Sequence, residues 1–246
     1  MIPEIYETLE AAAFAALPAL EPEEMVMGWR LRFSNGYTKR ANSANCSLTA
    51  TDLSAEQIED IEQRYRQRAL PPIFRLTSVA TPVNMDNTLA QRGYSLVDPS
   101  WVMVLPALSA SVDDKPVTTM DINAWAAAVF EISGSNLAEQ ATHLQMLRLI
   151  KEQRAFAVDY LDHVPVCAGL GVIHLKWIGL FDIATAATQR QKGFATALCR
   201  NLLSWGKQAG AESAYLQVTA SNFGAIRVYE KLGFQKAYHY WYRVAA

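Results

Sequence analysis

The sequence predicts a mixed α/β protein in two parts, and three observations lead there. Over the second half of the 246 residues, antiparallel strand patterns are followed by a β-α-β-α-β run, which calls for a mixed sheet with helices on both faces. One linker-like stretch, residues 106–116, places Ala, Ser and Asp between prolines and sets the expected boundary between a domain over 1–110 and a domain over 117–246. A weak internal repeat also runs through the chain. The order helix 54–70, strand 73–78, short helix ending at Gly93 and strand 94–105 recurs from Gly193 onward.

The elements follow in order. Residues 1–17 form an amphipathic helix stopped by Pro18. Trp29 to Phe33 alternates apolar and basic residues, Ser34-Asn35-Gly36 supplies a turn, and 37–48 returns as a second strand. Asp52-Leu53-Ser54 caps a helix to about Leu70, with acidic Glu56 early and Arg64, Arg66 and Arg68 late, the order that the helix dipole favours. Pro71-Pro72 ends it; a strand at 73–78, a short helix at 84–92 closed by Gly93 and a strand at 94–105 follow. In the second half, a strand at 117–120 precedes helices at 123–132 and 137–153. Strands at 155–160, 164–175 and 177–185 lead into a glycine turn. Helix 193–209, strand 213–219, helix 222–232 and strand 234–244 complete the chain.

Composition narrows the function classes. With Lys+Arg at 22 against Asp+Glu at 24, the net charge of −2 supplies no general attraction to phosphate backbones or anionic lipid, so neither nucleic acid nor a membrane is the expected partner. Cys46, Cys167 and Cys199 are widely spaced, odd in number and set among apolar neighbours, which reads as buried thiols in a reducing compartment and not as a disulfide framework or a metal site. Glu4, Glu7 and Glu10 precede the N-terminal apolar run, the reverse of a secretory signal's charge order. A cytoplasmic protein is the expectation.

The most informative stretch runs from Phe181 to Phe234. An apolar strand enters Arg190-Gln191-Lys192-Gly193-Phe194-Ala195-Thr196, and a helix opens directly after it. Gly193 allows a tight turn, and helix-opening N–H groups beside Arg190 and Lys192 form a cationic cradle suited to a pyrophosphate. Further on, Asn222 opens a helix that carries Tyr229 and ends at Gly233-Phe234. The pattern suggests a phosphate-bearing cofactor held beside a reacting tyrosine.

Arg190-x-x-Gly193-x-Ala195 resembles the acyl-CoA signature of the GNAT superfamily of N-acyltransferases, and Asn222-x-x-Ala225-x-x-x-Tyr229-x-x-x-Gly233-Phe234 resembles the motif that closes that fold. The two occur in the family's order with a helix and a strand between them, within a resemblance that covers about 117–244. It implies a mostly antiparallel GNAT sheet flanked by helices, preceded by a smaller, degenerate GNAT-like α/β half-domain. It also implies an acetyl-CoA-dependent N-acetyltransferase that needs no metal.

By position, the resemblance gives Arg190, Gln191, Lys192, Gly193, Phe194, Ala195 and Thr196 to the CoA pyrophosphate. Ile183, Ala184 and Thr185 fall on the splayed strand that pairs with pantetheine, and Asn222 touches the CoA arm or simply caps its helix. Tyr229 takes the role of the acid that protonates the leaving CoA thiolate. In the first copy of the repeat Leu89 stands where the second has Tyr229, so only the second copy carries this chemistry.

The base is less determined. Asp182 is the acid on the strand before the turn, in the place where family members commonly carry the catalytic carboxylate; His174, His239 and proton loss to water are alternatives. The acceptor is a primary amine of a small molecule or peptide. The aromatic run from Tyr238 to Tyr242 is a candidate groove lining, and Arg30, Arg32, Lys39 and Arg40 read as a solvated edge protected by charge. A non-catalytic acyl-CoA-binding module and an interaction protein that keeps only the fold are the rival readings, and a homodimer is allowed by either.

Overall fold

The computed structural model describes residues 2–109, 119–134 and 136–245. In chain order its elements are α1 (Ile2–Ala16), β1 (Glu24–Val26), β2 (Trp29–Leu31), β3 (Ala44–Cys46), α2 (Ala55–Arg66), β4 (Ile73–Thr77), α3 (Met85–Gln91), β5 (Ser95–Leu105), α4 (Ile122–Ser133), α5 (Leu137–Leu149), β6 (Gln153–Leu161), β7 (Val164–His174), β8 (Trp177–Thr185), α6 (Phe194–Gln208), β9 (Ser213–Thr219), α7 (Phe223–Lys231) and β10 (Gln235–Val244). The fold is mixed α/β, and its registered strand pairs are antiparallel except for β3 with β4 and β8 with β9. Two compact units divide the chain, the first formed by Met1–Val102, Thr219–Ser221 and Ala237–Ala246, the second by Met103–Val218 and Asn222–Lys236.

In the first unit the strands run in the order β1-β2-β3-β4-β10-β5. Its core is built on Trp29, Phe33, Ile58, Tyr65, Phe74 and Tyr94, with the Phe74 ring edge-on to both Trp29 and Tyr94. Helix α2 starts where the sequence signals it: Ser54 accepts from the Gln57 N–H while the Gln57 side chain accepts from the Ser54 N–H, satisfying donors that a helix end leaves open. One ion pair is fully inside. Arg75 grips the Glu10 carboxylate with both terminal nitrogens, Tyr238 donates to the same carboxylate at 2.7 Å, and the Tyr240 ring lies 4.1 Å from the guanidinium carbon. Every lone pair so engaged offsets part of the cost of desolvating two charges.

Three expectations are corrected in this unit. The return strand at 37–48 shrinks to β3, because residues 39–41 wind into a 3-10 turn, and β1 pairs with β2 where no strand is predicted. Arg32 is not solvated. It is 1% exposed, and its guanidinium donates to Glu23 and to the Leu17 and Arg40 carbonyls, so alternation along β2 marks a buried charge with partners in place. Arg30 and Lys39 are paired at the surface with Glu23 and Asp98.

A testable pH effect arises from α3. Asp86 accepts from Arg243 at 2.9 Å and from the Trp241 indole at 2.7 Å, and these bonds hold its carboxyl below the ordinary carboxylate range. A depressed value contributes stability that is complete above the unfolded pKa, near 3.9, and is lost as pH falls through the lower folded value. Asp86→Asn is therefore expected to lower stability at pH 7 and to flatten its decline between about pH 4 and 2, measured by urea unfolding at each pH.

The second unit carries the order β5-β9-β8-β7-β6. Strands β6, β7 and β8 form an antiparallel meander, and α6 lies close against β8, since a Cβ added at Gly206 would come within 2.7 Å of the Ile178 side chain. Helix α5 ends at Leu149, four residues earlier than predicted, because Ile150 turns into extended backbone and Gln153 already begins β6. The expected linker at 106–116 and strand at 117–120 lie largely outside the described residues. Of their described parts, Pro106 and Leu108 bond to Ser213 and Glu212 at the start of β9, and Met120 donates to Phe156 without joining a strand. Among the described residues no helix is long and apolar enough to cross a membrane, and no cluster of His, Cys, Asp and Glu suits a metal ion.

Candidate functional site

Strands β8 and β9 pair in parallel from Trp177 with Ser213 to Leu180 with Leu216, and no pair between them follows. Beyond that point the strands separate. On its other edge β8 stays registered with β7, through Ala184 with Ala168 and Thr185 with Cys167. Ile183, Ala184 and Thr185 are all half-buried; Ala184 and Thr185 keep the ladder with β7, Ile183 falls where that register shifts, and the opposite backbone edge faces the gap left by β9. Unmatched strand edges of this kind accept an extended chain by main-chain hydrogen bonding.

Asp182 sits at a bulge in β8. The register with β7 shifts between Ala168 and Leu170, and Asp182 takes a positive φ of 51°, a conformation that aspartate tolerates better than most residues. Gly169 of β7 faces the bulge, and the Trp125 indole of α4 donates to its carbonyl at 3.1 Å and to that of Ala157, its registered partner on β6, at 3.2 Å. The Asp182 carboxylate does not stand alone: its Oδ2 lies 3.0 Å from Nε2 of His143 on α5.

After β8 the chain passes through Arg190, whose Nε donates to the Thr185 carbonyl, and Lys192, whose ammonium donates to Gln189. Gln191 has φ 64° and Gly193 φ 89°, and Gly193 is the N-cap of α6 with no side-chain cap. Ala197 donates the first helical bond to Gly193, so the N–H groups of Phe194, Ala195 and Thr196 face out of the helix end. A Cβ at Gly193 would meet nothing within 4 Å, so the turn is open on that side. The turn thus opens α6 with outward N–H groups, a glycine of positive φ at its N-cap, and Arg190 and Lys192 just before it in the chain.

On α7 the Asn222 Oδ1 caps the helix by accepting from the Ala225 N–H at 3.1 Å. Tyr229 is 8% exposed, with its ring 6.0 Å from Phe234. Burial pushes its phenol above its ordinary value, and the nearby Cys199 and Cys167 thiols add to the rise. Cys167 Sγ lies 3.3 Å from Thr185 Oγ1 on β8. All three cysteines are free and buried. Burial pushes Cys167 up to about 11 and Cys199 up to about 12, so both remain thiols at neutral pH.

Among the sequence candidates, Asp182 and Ile183–Thr185 share β8, Arg190–Thr196 follow it in the chain, and Tyr229 is buried on α7 against Phe234. Of the alternative bases, His174 lies 3.5 Å from Glu152 at the far end of β7, and His239 stacks on Trp241 in the first unit. His143 was absent from the sequence candidates. Its signal is the spacing of His143, Met146 and Leu147, which puts a histidine on the buried stripe of α5.

An antiparallel meander, a parallel pair that separates, and a glycine turn opening a helix define the GNAT architecture. A family model described as "Probable histone acetyltransferase Rv0428c C-terminal" matches residues 4–127 and 171–243. The chain belongs to this family of GCN5-related N-acetyltransferases. An uncharacterized N-acetyltransferase of Bacillus subtilis, YobR, is 27% identical over 244 residues, 96% of this chain and 97% of its own. The [ribosomal protein bS18]-alanine N-acetyltransferase of Escherichia coli is 38% identical over 58 residues, 24% of this chain and 39% of its own. Among solved structures, a GCN5-related N-acetyltransferase from Kribbella flavida matches the fold with a TM-score of 0.71 at 16% identity, covering 98% of this chain and 95% of that one. A tandem GNAT protein of the clavulanic acid biosynthesis pathway matches with a TM-score of 0.56 at 12% identity, over 78% of this chain and 69% of that one. The protein is an N-acetyltransferase, and acetyl-CoA is the donor typical of its relatives.

Proposed function

We propose that the second unit transfers the acetyl group of acetyl-CoA to a primary amine of a small molecule or peptide by direct attack. The observation that carries this reading is the backbone edge of β8 left without a β9 partner beyond Leu180, followed along the chain by the Gly193 turn that opens α6. The residues present fit the donor. Outward N–H groups at 194–196, with Arg190, Gln191, Lys192 and Gly193, suit the pyrophosphate, and the backbone of Ile183, Ala184 and Thr185 suits the amide-bearing arm. Asn222 stands at the start of α7, where its amide reaches the same arm while Oδ1 caps the helix.

Acetyl-CoA supplies an activated thioester carbonyl and a thiolate leaving group. Asp182 accepts the proton that an ammonium acceptor must lose before it attacks, and its 24% side-chain exposure leaves it accessible to that acceptor. Tyr229 holds its proton at Oη throughout the neutral range and releases it to the departing sulfur. A free thiol's pKa of about 8.5 lies below phenol's roughly 10, so the transfer works only at short range while negative charge is still building.

The amine classes to distinguish are amino acids, polyamines, aminoglycoside antibiotics and peptide N-termini. The relationship to an enzyme whose name specifies a protein alanine supports including the last of these. A thiol-release assay with acetyl-CoA across the four classes tests the proposal. Release that depends on one class supports it, whereas acetyl-CoA binding without release to any amine overturns direct transfer.

A further inference from the structure

We propose that His143 is a positioning residue that fixes the Asp182 carboxylate in the orientation needed to accept the acceptor's proton; this rests on the reading of Asp182 as the base. The juxtaposition has a dry end and a wet end. The His143 side chain is 4% exposed and that of Asp182 24%, with Nε2 and Oδ2 3.0 Å apart. Against an ionised carboxylate, which only accepts, the imidazole must present its Nε2–H.

The ring has little freedom to present anything else. Trp125 and Phe130 of α4 each lie 6.2 Å from it, the first edge-on at 68° and the second tilted at 58°. Trp125 is itself fixed by its two indole hydrogen bonds to Ala157 and Gly169, and Gly169 is the β7 residue opposite the bulge that turns Asp182. Asn136 fixes the start of α5 by accepting from the Glu139 N–H at 3.0 Å. Bulge, indole, imidazole and carboxylate therefore form one packed chain of contacts. A histidine wanted only for packing gains nothing from a polar nitrogen aimed at a partly exposed acid, because a buried hydrogen-bonded pair is about equalled by apolar side chains of the same volume. Placing a carboxylate within a few tenths of an ångström is what such a partner adds.

A double-mutant cycle in the full-length enzyme tests this, using the amine class that gives most thiol release. Asp182→Asn is expected to lower kcat at least about tenfold. His143→Leu is expected to lower kcat about tenfold with the KM for acetyl-CoA unchanged, and His143→Gln, which keeps an N–H donor, to stay within about threefold of wild type. The decisive outcome is the combination: His143→Leu in the Asp182→Asn background lowers kcat by no more than about twofold further. Additive losses overturn the positioning role, while wild-type turnover in Asp182→Asn overturns the base assignment itself. Should His143→Leu fail to fold, His143→Met fills the site with a flexible apolar chain and enters the same cycle. In protein labelled with isotopic histidine, the His143 Nε2–H proton resonance is expected downfield and to move upfield in Asp182→Asn; no movement also overturns the proposal.

Discussion

Tyr229→Phe is expected to lower turnover by at least about tenfold, and toward a hundredfold, while acetyl-CoA still binds. The substitution removes one oxygen from a side chain that is 8% exposed and leaves the ring contact with Phe234 in place. Loss of an acid that acts only as the carbon–sulfur bond breaks lowers kcat and kcat/KM together and leaves the donor's dissociation constant unchanged. The raised phenol value adds a pH signature. Below its ordinary pKa near 10 the side chain stays protonated in both folded and unfolded states, so the ratio of wild-type to variant turnover stays level from about pH 6 to 9. Any stability linked to the buried neutral phenol is complete below that value and lost only as pH rises toward the higher folded one. Thiol release at several pH values, with calorimetric titration of acetyl-CoA, measures all of this. Unchanged turnover removes Tyr229 from the chemistry.

The parts of the fold that the sequence makes legible are those written in local signals. Ser54 and Gln57 announce α2 because a capping box needs only residues three apart. Gly193 announces the turn that opens α6 for the same reason: the glycine and the helix it caps are contiguous. The hidden features depend on distance along the chain. Arg32 reads as solvated until Glu23 and two loop carbonyls are seen around it. His143 and Asp182 are 39 residues apart, on a helix and a strand, and nothing local to either predicts the other. The bulge is equally silent, since Asp182 reads as an ordinary strand residue and its positive φ follows from the register shift against β7. Strands of three residues, β1 and β3, carry too few positions for a period of two to show.

Gly193→Asp is expected to weaken acetyl-CoA binding by about a hundredfold, and two separable causes combine to give it. The φ of 89° lies in the left-handed region, where a side chain costs about 1–2 kcal/mol. The second cause is charge. A Cβ here meets no protein atom within 4 Å, so the carboxylate fits at the N-cap beside the N–H groups of 194–196, where it competes with and repels the anion proposed to bind them. Gly193→Ala isolates the first cause, since it carries the strain without the charge and should cost about tenfold. The tenfold arises where the turn relaxes from that φ and misaims its N–H groups; strain left unrelaxed is common to free and bound protein, leaves affinity untouched and appears as a lowered melting temperature, which scanning calorimetry of the two variants measures. Salt separates the causes further. Raising ionic strength should narrow the gap between the Asp and Ala variants while leaving the Ala variant's own deficit unchanged. Equal affinities for Asp, Ala and wild type would place the pyrophosphate elsewhere. The cation pair beside the turn would then serve only its contacts with Thr185 and Gln189.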